Sequence, residues 1–196
     1  MAIVGMSGHI GSGKSLTSEI LHSILKEEGI SVSVKSFAQP IYKLVSDMTG
    51  LPISEIKSKK RKHESLNIGE ITTTYRGLLQ MIGDGLRDHG SSDIWINSMF
   101  GVENQNAITD LTWINSWWII DDLRYPNEAE KIKSLGGKLI RVERDESENN
   151  SHRAETSLDS WNDWDIVIKN DYPSVSEAKD KIKVHMKGFV KEILYG

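Results

Sequence analysis

The residues with the clearest chemical signature lie in the stretch GHIGSGKS, residues 8–15, directly after the short apolar run AIVGM. They fit the phosphate-binding pattern GxxxxGK[S/T], which is meaningful when a strand precedes it and a helix follows it. In such a loop, backbone N–H groups and a helix N-terminus surround an anion, the lysine reaches the β- and γ-phosphates, and the hydroxyl can hold Mg²⁺. The pattern predicts binding of ATP or GTP, and the alternative is a chance glycine-rich turn. The candidate residues are Gly8, Gly11, Ser12, Gly13, Lys14, Ser15 and Leu16, with Ser15 as the Mg²⁺ ligand.

A second candidate site lies in WWIIDDLRYPNE, where an apolar run ends in Asp121 and Asp122. Proteins with a phosphate loop use an acidic residue at the end of a neighbouring strand to hold Mg²⁺ or to orient the acceptor. Arg124 follows closely, and its planar fork of donors suits a phosphate group. The alternative is a strand end with solvated charges and an Arg–Asp pair.

Other arginines have spacings that suit phosphate recognition. Arg76 and Gln80 lie four residues apart on one predicted helix face, with Arg87 further along, so they could grip a monophosphate and read a base edge. Arg144 and Arg153 lie in the polar segment ERDESENNSHRAETS, whose closure would bring positive charge to transferring phosphates and exclude water. In each case a solvated surface residue is the alternative.

Three further features favour a structural explanation. Trp95 could line a base pocket, but packing is the favoured explanation. The basic run 57–62 reads as a solvated helix face, with attraction of anionic substrates or nucleic acid as the second option. The six histidines show no metal-ligand spacing such as HExxH, so no zinc site is predicted.

The elements that must position these residues follow from hydrophobic periodicity and from turn residues. The predicted strands are 2–6, 32–38, 117–120, 138–142 and 165–168. The predicted helices are 16–28, 40–49, 52–64, 76–89, a helix after Asp93, 127–135 and 176–194, with an irregular stretch at 65–75. Strands alternating with helices imply a mostly parallel sheet that is covered on both faces and binds its ligands at the carboxyl edge.

Composition limits the function classes. A chain of 196 residues with 38% hydrophobic and 27% charged residues is typical of one α/β domain with a small insertion. It has no apolar stretch of about 18 residues and no export signal, so we expect a cytoplasmic protein that does not span a membrane. Without cysteine there is no disulfide, thiolate metal site or catalytic cysteine. The net charge of −4 argues against a nucleic-acid backbone as the main partner and favours small-molecule substrates.

Several segments, in order along nearly the whole chain, resemble the deoxynucleoside monophosphate kinases encoded by DNA bacteriophages. The segments are GHIGSGKS, SFAQP, YRGLLQMIGDGLRDHGSSDIW, IIDDLRYPNEAEKIKSLGGKLIRVER, SHRAETS and DIVIKND. The most specific is DLRYPNEAEKIKSLGGKLIRVER, followed by HRAET. The chain departs from the family at Gln39, at the GDG of residues 83–85 and in NQNAITDLTWINS, all in the acceptor half, so the accepted base stays open.

The resemblance implies an α/β, three-layer P-loop kinase fold with a mostly parallel central sheet. The single domain would span 1–196, with a helical acceptor-binding insertion at about 38–100 and a lid at about 144–157. The implied reaction is ATP-dependent, Mg²⁺-assisted phosphorylation of a deoxynucleoside 5′-monophosphate to the diphosphate, in the host cytoplasm if the gene is carried by a phage.

The resemblance also assigns roles to individual residues. Lys14 and Ser15 would hold ATP phosphates and Mg²⁺. Arg76 and Gln80 would face the acceptor nucleotide. Further candidates for substrate binding, which the resemblance does not assign, are Phe37, Arg87 and Trp95. The residues implied at the junction of the two substrates and in the lid are Asp122, Arg124, Arg144, His152, Arg153 and Glu155. Asn170 and Asp171, after the last strand, would lie near the adenine.

Three other functions stay open at the level of sequence. The nearest is a P-loop kinase of another phosphorylated metabolite, resembling dephospho-coenzyme A kinase. The second is a nucleotide-binding ATPase or switch that signals to a protein partner, and the third is a nucleic-acid-binding module that uses the basic run. The oligomeric state is open as well, with a homodimer as one option.

Overall fold

The computed structural model describes residues 2–101, 116–145 and 152–195. In chain order the described elements are β1 (Ala2–Ser7), α1 (Lys14–Glu27), β2 (Ser31–Lys35), α2 (Gln39–Thr49), α3 (Ile53–Ile56), α4 (Lys59–Lys62), β3 (Ser65–Ile68), β4 (Ile71–Thr74), α5 (Tyr75–His89), α6 (Ile94–Phe100), β5 (Ser116–Ile120), α7 (Pro126–Ser134), β6 (Lys138–Glu143), α8 (Arg153–Thr156), β7 (Ile166–Lys169) and α9 (Val175–Tyr195). They divide into two compact units, which we call the core unit (within 1–36 and 104–196) and the inserted unit (within 37–103).

The core unit is built on a five-stranded sheet in the order β2-β5-β1-β6-β7, with every pairing parallel. Chain order and sheet order differ because parallel neighbours must be joined by crossover connections rather than by tight turns. The prediction of an α/β fold with a mostly parallel central sheet is confirmed.

Helices cover both faces of this sheet. Val4 and Met6 on β1 are fully buried in one hydrophobic cluster with residues of α1 and α9, including Leu21 and Ile182. Side chains alternate along a strand, so Gly5 between them faces the other side. There a Cβ on Gly5 would lie 2.7 Å from Cδ1 of Ile132 on α7. The core unit therefore has three layers: α1 with α9, the sheet, and α7.

The inserted unit is mainly helical and has its own small core. Val45 of α2, Ile56 of α3 and Leu78 of α5 are buried together. The long helix predicted at 52–64 is wrong: it is two short helices, because the backbone is extended at Ser58 (ψ 142°), whose Oγ then caps α4.

The prediction of an irregular stretch at 65–75 is also wrong. Strands β3 and β4 pair antiparallel as a hairpin, joined at Gly69 and Glu70. Gly69 has a φ of 58°, which tight hairpin turns require. The run ITTT favours a strand because its residues are β-branched, although apolar and polar residues do not alternate along it.

Among the described residues, no helix combines the length and the apolar character needed to span a membrane.

Candidate functional site

The segments that carry the predicted phosphate chemistry leave the sheet at one edge. Because all five strands are parallel, the residues that follow β1, β5, β6 and β7 emerge together at the carboxyl ends. These are the phosphate loop 8–13, the acidic pair Asp121 and Asp122, Arg144, and Asn170.

Two glycines allow the phosphate loop to pass very close to its neighbours. Gly8 has a φ of 151°, and a Cβ there would lie 2.2 Å from the Val142 carbonyl oxygen. Gly13, the N-cap of α1, has a φ of 103°, and its Cβ would lie 2.3 Å from Nδ2 of Asn170. At Gly11 a Cβ would meet nothing within 4 Å, so the middle of the loop borders open space.

Lys14 folds back over this loop. Its Nζ donates hydrogen bonds to the Gly8 carbonyl at 2.5 Å and to the His9 carbonyl at 2.8 Å. The Ser12 hydroxyl is buried and its Oγ has no hydrogen-bond partner among the described residues. The loop thus presents a lysine ammonium and a buried hydroxyl, and both are suited to phosphate oxygens.

The charges around Lys14 define the electrostatics of the site. Burial lowers the pKa of Lys14 from 10.5 to about 8, and the positive charges of Arg124 and Arg141 lower it as well. The carboxylates of Glu155 and Asp121 act in the opposite direction. Lys14 is therefore partly buried within a cluster of cations, where an anion would be strongly attracted.

Arg124 is held by a buried carboxylate. Its Nη1 donates to Oε1 of Glu155 and, at 3.3 Å, to the carbonyl of Ala154. Burial would lower the pKa of Arg124, but the charge and hydrogen bond of Glu155 outweigh it and raise the pKa. The Glu155 side chain is only 5% exposed, and its Oε2 has no hydrogen-bond partner within the described part of the chain. The backbone of Arg124 is anchored too, because its N–H donates to Glu128 at the start of α7.

The two residues of the predicted acidic pair, Asp121 and Asp122, differ in their neighbours. Oδ2 of Asp122 accepts a hydrogen bond from Ser36 Oγ at 2.7 Å, directly after β2. Asp121 lies near enough to Lys14 to act on its pKa. Ser15, the predicted Mg²⁺ ligand, is exposed at the second residue of α1, whereas Leu16 packs against the hydrophobic core.

Asn170 binds the phosphate loop itself. It is buried, and its Nδ2 donates to the Ser12 carbonyl at 2.7 Å. Asp171, its neighbour, accepts a hydrogen bond from the N–H of Asp145 at 2.9 Å. Both residues therefore have a structural role. Their position near an adenine stays a prediction.

The predicted lid lies partly outside the described residues, which omit 146–151. Arg144 is exposed after β6. Arg153 lies with its guanidinium carbon 5.8 Å from the Tyr125 ring centre, and His152 caps α8 through Nδ1. The structure brings Glu155 to Arg124 but gives Arg144 and Arg153 more peripheral positions.

Sequence reasoning missed Arg141. This residue is on β6 with a side chain only 7% exposed, and it donates to Asp159 at 2.8 Å and to Ser7 Oγ at 3.3 Å. Asp159 also contacts Nε2 of His9 at 3.0 Å. A signal was present, because a charged residue inside the apolar strand KLIRV must find partners when the strand is buried.

The residues predicted on the acceptor side lie in the inserted unit. Arg76, Gln80 and Arg87 are partly buried on α5, and Nη1 of Arg87 donates to the Ser92 carbonyl at 2.8 Å. Their roles toward a substrate stay predictions.

Two aromatic residues of the inserted unit have packing partners. Trp95 is 4% exposed, and its indole N–H donates to the Gly83 carbonyl at 3.0 Å, which joins α6 to α5. Phe37 is buried edge-on against Phe100, with ring centres 6.3 Å apart. In this part of the chain both residues serve packing, and a contact with a base stays a prediction.

Within residues 2–101, 116–145 and 152–195, no group of three or more His, Cys, Asp or Glu side chains is arranged to hold a metal ion.

Comparisons with known proteins agree with the phosphate chemistry of the loop. Residues 5–182 match the family model described as deoxynucleotide monophosphate kinase. A putative deoxynucleotide monophosphate kinase of Acanthamoeba polyphaga mimivirus is 31% identical over 182 residues, which cover 87% of this chain and 89% of that protein.

Solved structures similar to this chain include two small-molecule kinases. The shikimate kinase of Aquifex aeolicus is 15% identical, with 99% of both chains covered and a TM-score of 0.40. A gluconokinase of Sinorhizobium meliloti is 13% identical, with 99% of this chain and 95% of that chain covered and a TM-score of 0.44.

Proposed function

Since the chain belongs to the deoxynucleotide monophosphate kinase family, we propose that it transfers the γ-phosphoryl group of ATP to the 5′-phosphate of a deoxynucleoside monophosphate. The products are ADP and the deoxynucleoside diphosphate. The observation that carries this proposal is the partly buried Lys14 at the phosphate loop, whose pKa is lowered by burial and by the charges of Arg124 and Arg141. The positive charges of Arg124 and Arg141 act on Lys14 although a carboxylate pairs with each guanidinium group, and a polyanion such as ATP would relieve this repulsion.

The loop suits a triphosphate in its details. Lys14 lies on the Gly8 and His9 carbonyls, from which its flexible side chain can move to phosphate oxygens. The Ser12 hydroxyl, which has no hydrogen-bond partner among the described residues, and the open space at Gly11 leave a hydrogen-bond donor and room for an anion. The N-terminus of α1 follows directly, and its dipole favours negative charge.

The residues present also fit Mg²⁺. This ion takes oxygen ligands, keeps several waters and is usually bound by one or two carboxylates together with phosphates, so a larger acidic cluster is not needed. We propose Ser15 as a direct ligand, with Asp121 or Asp122 acting through water. When bound, Mg²⁺ would neutralise charge on the transferring phosphoryl group. Ser36 orients Asp122 for this task or for contact with the acceptor.

Catalysis of this kind needs positioning and charge rather than a nucleophilic side chain. Lys14 and Arg124 would stabilise the charge that develops on the transferring group, and Glu155 would hold Arg124 in place until substrate arrives. Arg144 and Arg153 would add positive charge from the lid at about 144–157, which would also exclude water.

The inserted unit would supply the acceptor site. We propose that Arg76 binds the acceptor phosphate and Gln80 reads the base, because both lie one turn apart on α5 and are neither fully buried nor fully exposed. Arg87, Phe37 and Trp95 are further candidates for shaping this site.

The test is ADP release by the purified protein with Mg²⁺ and ATP, without an acceptor and with each of dAMP, dGMP, dCMP, dTMP and their ribose counterparts. Stimulation by one or more deoxynucleotides is expected, and it would identify the accepted base. Lys14→Met should lower this stimulated rate by orders of magnitude. ADP release at the same rate with and without every acceptor would overturn the proposal in favour of an ATPase. Stimulation by dephospho-coenzyme A alone would identify that metabolite, and not a deoxynucleotide, as the acceptor.

A further inference from the structure

We propose that His9 and Asp159 form a second restraint on the phosphate loop, one that keeps the loop in its anion-binding shape after Lys14 has turned to the donor. This inference rests on the proposed function, because it assumes that the loop binds the phosphates of ATP. The contact behind it is the one between Nε2 of His9 and Oδ1 of Asp159, at 3.0 Å. His9 lies inside the glycine-rich loop, and its side chain is 23% exposed.

The first restraint on this part of the loop is Lys14. Its Nζ donates to the Gly8 and His9 carbonyls, so the ammonium holds the first two loop residues together. A lysine that reaches for donor phosphates must give up these two hydrogen bonds. The His9 carbonyl keeps a backbone hydrogen bond from the Ser12 N–H at 3.2 Å, but this bond joins only residues of the loop. The loop thus loses the side-chain hold of Lys14 at Gly8 and His9 at the moment when its N–H groups must stay aligned with the anion.

The two ends of the loop are held differently. The far end keeps its contact, because Asn170 donates to the Ser12 carbonyl from a buried position that does not involve Lys14. At the near end, the contact of His9 with Asp159 likewise does not involve Lys14. A loop with glycines at 8, 11 and 13 is intrinsically free to collapse, and restraints at both ends reduce that freedom.

Asp159 can restrain His9 because other contacts keep Asp159 in position. Its Oδ1 also accepts from Nη2 of Arg141 at 2.8 Å, and Nη1 of Arg141 reaches Ser7 Oγ, the last side chain of β1. The backbone N–H of Asp159 donates to the Thr156 carbonyl at the end of α8. Asp159 therefore ties His9 to the end of the sheet and to the segment that follows α8. His9 and Asp159 are positioning residues, since they act on the donor through the loop.

The inference is tested by donor binding, measured calorimetrically with Mg²⁺ and an ATP analogue whose β,γ-bridging oxygen is a methylene. His9→Ala should weaken binding about fivefold, the upper end for a partly exposed contact between a histidine and a carboxylate. His9→Gln, whose side-chain amide can donate to Asp159, should restore affinity to within about twofold of the parent. The matched control is His185→Ala, an exposed histidine on α9, which should bind like the parent.

Steady-state kinetics separate positioning from a general structural role. Asp159→Asn keeps the shape of the side chain and an acceptor for Arg141 but loses its charge. It should raise KM for ATP and leave KM for the acceptor within about twofold. An equal rise of both constants, or a His9→Ala protein that binds the analogue as tightly as the parent, would overturn the inference. A parent protein that binds no analogue would instead refute the proposed function.

Discussion

Replacing Lys14 with methionine should make the protein more stable at neutral pH, although it removes a residue that we propose to bind the donor phosphates. The reason is the environment of the ammonium group. Burial, with Arg124 and Arg141 nearby, lowers the pKa of Lys14 from 10.5 to about 8. Each pKa unit corresponds to about 1.4 kcal/mol, so carrying this charge costs the folded protein about 3 kcal/mol. Methionine has a similar shape and no charge.

Part of this gain is offset. Methionine cannot donate to the Gly8 and His9 carbonyls, and the loss of two hydrogen bonds costs about 1–2 kcal/mol. The net stabilisation by Lys14→Met at pH 7 should therefore be about 1–2 kcal/mol. Substitutions in an active site that raise stability while lowering activity are expected where a site holds repelling charges for its substrate.

The sign of the stability difference between the parent and Lys14→Met depends on pH. The unfolded chain keeps the Lys14 proton up to a pH near 10.5, while the folded chain releases it near pH 8. Between these values the unfolded state binds more protons, so the parent gains stability as pH rises, whereas below pH 8 its penalty is constant. The advantage of Lys14→Met should shrink above pH 8 and reverse by about pH 10.

Urea unfolding of both proteins at pH 7 and pH 10 measures this difference, and groups common to both chains cancel. The control is Lys187→Met, which removes an exposed lysine on α9 and should show no such reversal. A stability difference between parent and Lys14→Met that does not change with pH would refute the reasoning.

Three other substitutions test separate parts of the site. Gly8→Ala should destabilise the fold by about 2–4 kcal/mol, since its Cβ would lie 2.2 Å from the Val142 carbonyl oxygen, and an unchanged thermal midpoint would contradict this. Glu155→Gln should lower the pKa of Lys14 further, because the Glu155 charge raises it; an NMR titration of the lysine side chain that shows the parent midpoint would exclude this coupling. Arg76→Ala should raise KM for the acceptor about tenfold or more with KM for ATP unchanged, and an unaltered acceptor KM would remove Arg76 from the proposed site.

Local pattern was sufficient for most elements of the core unit. The apolar run at 2–6, the glycine-rich loop and the periodic helix after it predict β1, the loop and α1 to within a few residues, because each signal lies within about 15 residues. The same reasoning failed in the inserted unit at 52–75. There a capping hydrogen bond at Ser58 interrupts the predicted helix, and the pairing of β3 with β4 orders a stretch that was predicted to be irregular.

The sequence by itself determined the phosphate loop and the alternation of strands and helices, because both depend on residue types and spacings over short distances along the chain. Tertiary structure alone decided which charges meet. The register of the sheet pairs Ser7 with Arg141, so a guanidinium 134 residues away lies directly beside the start of the loop. A buried charge must be paired wherever the fold places it, and its partners Asp159 and, through it, His9 come from segments that no local pattern connects.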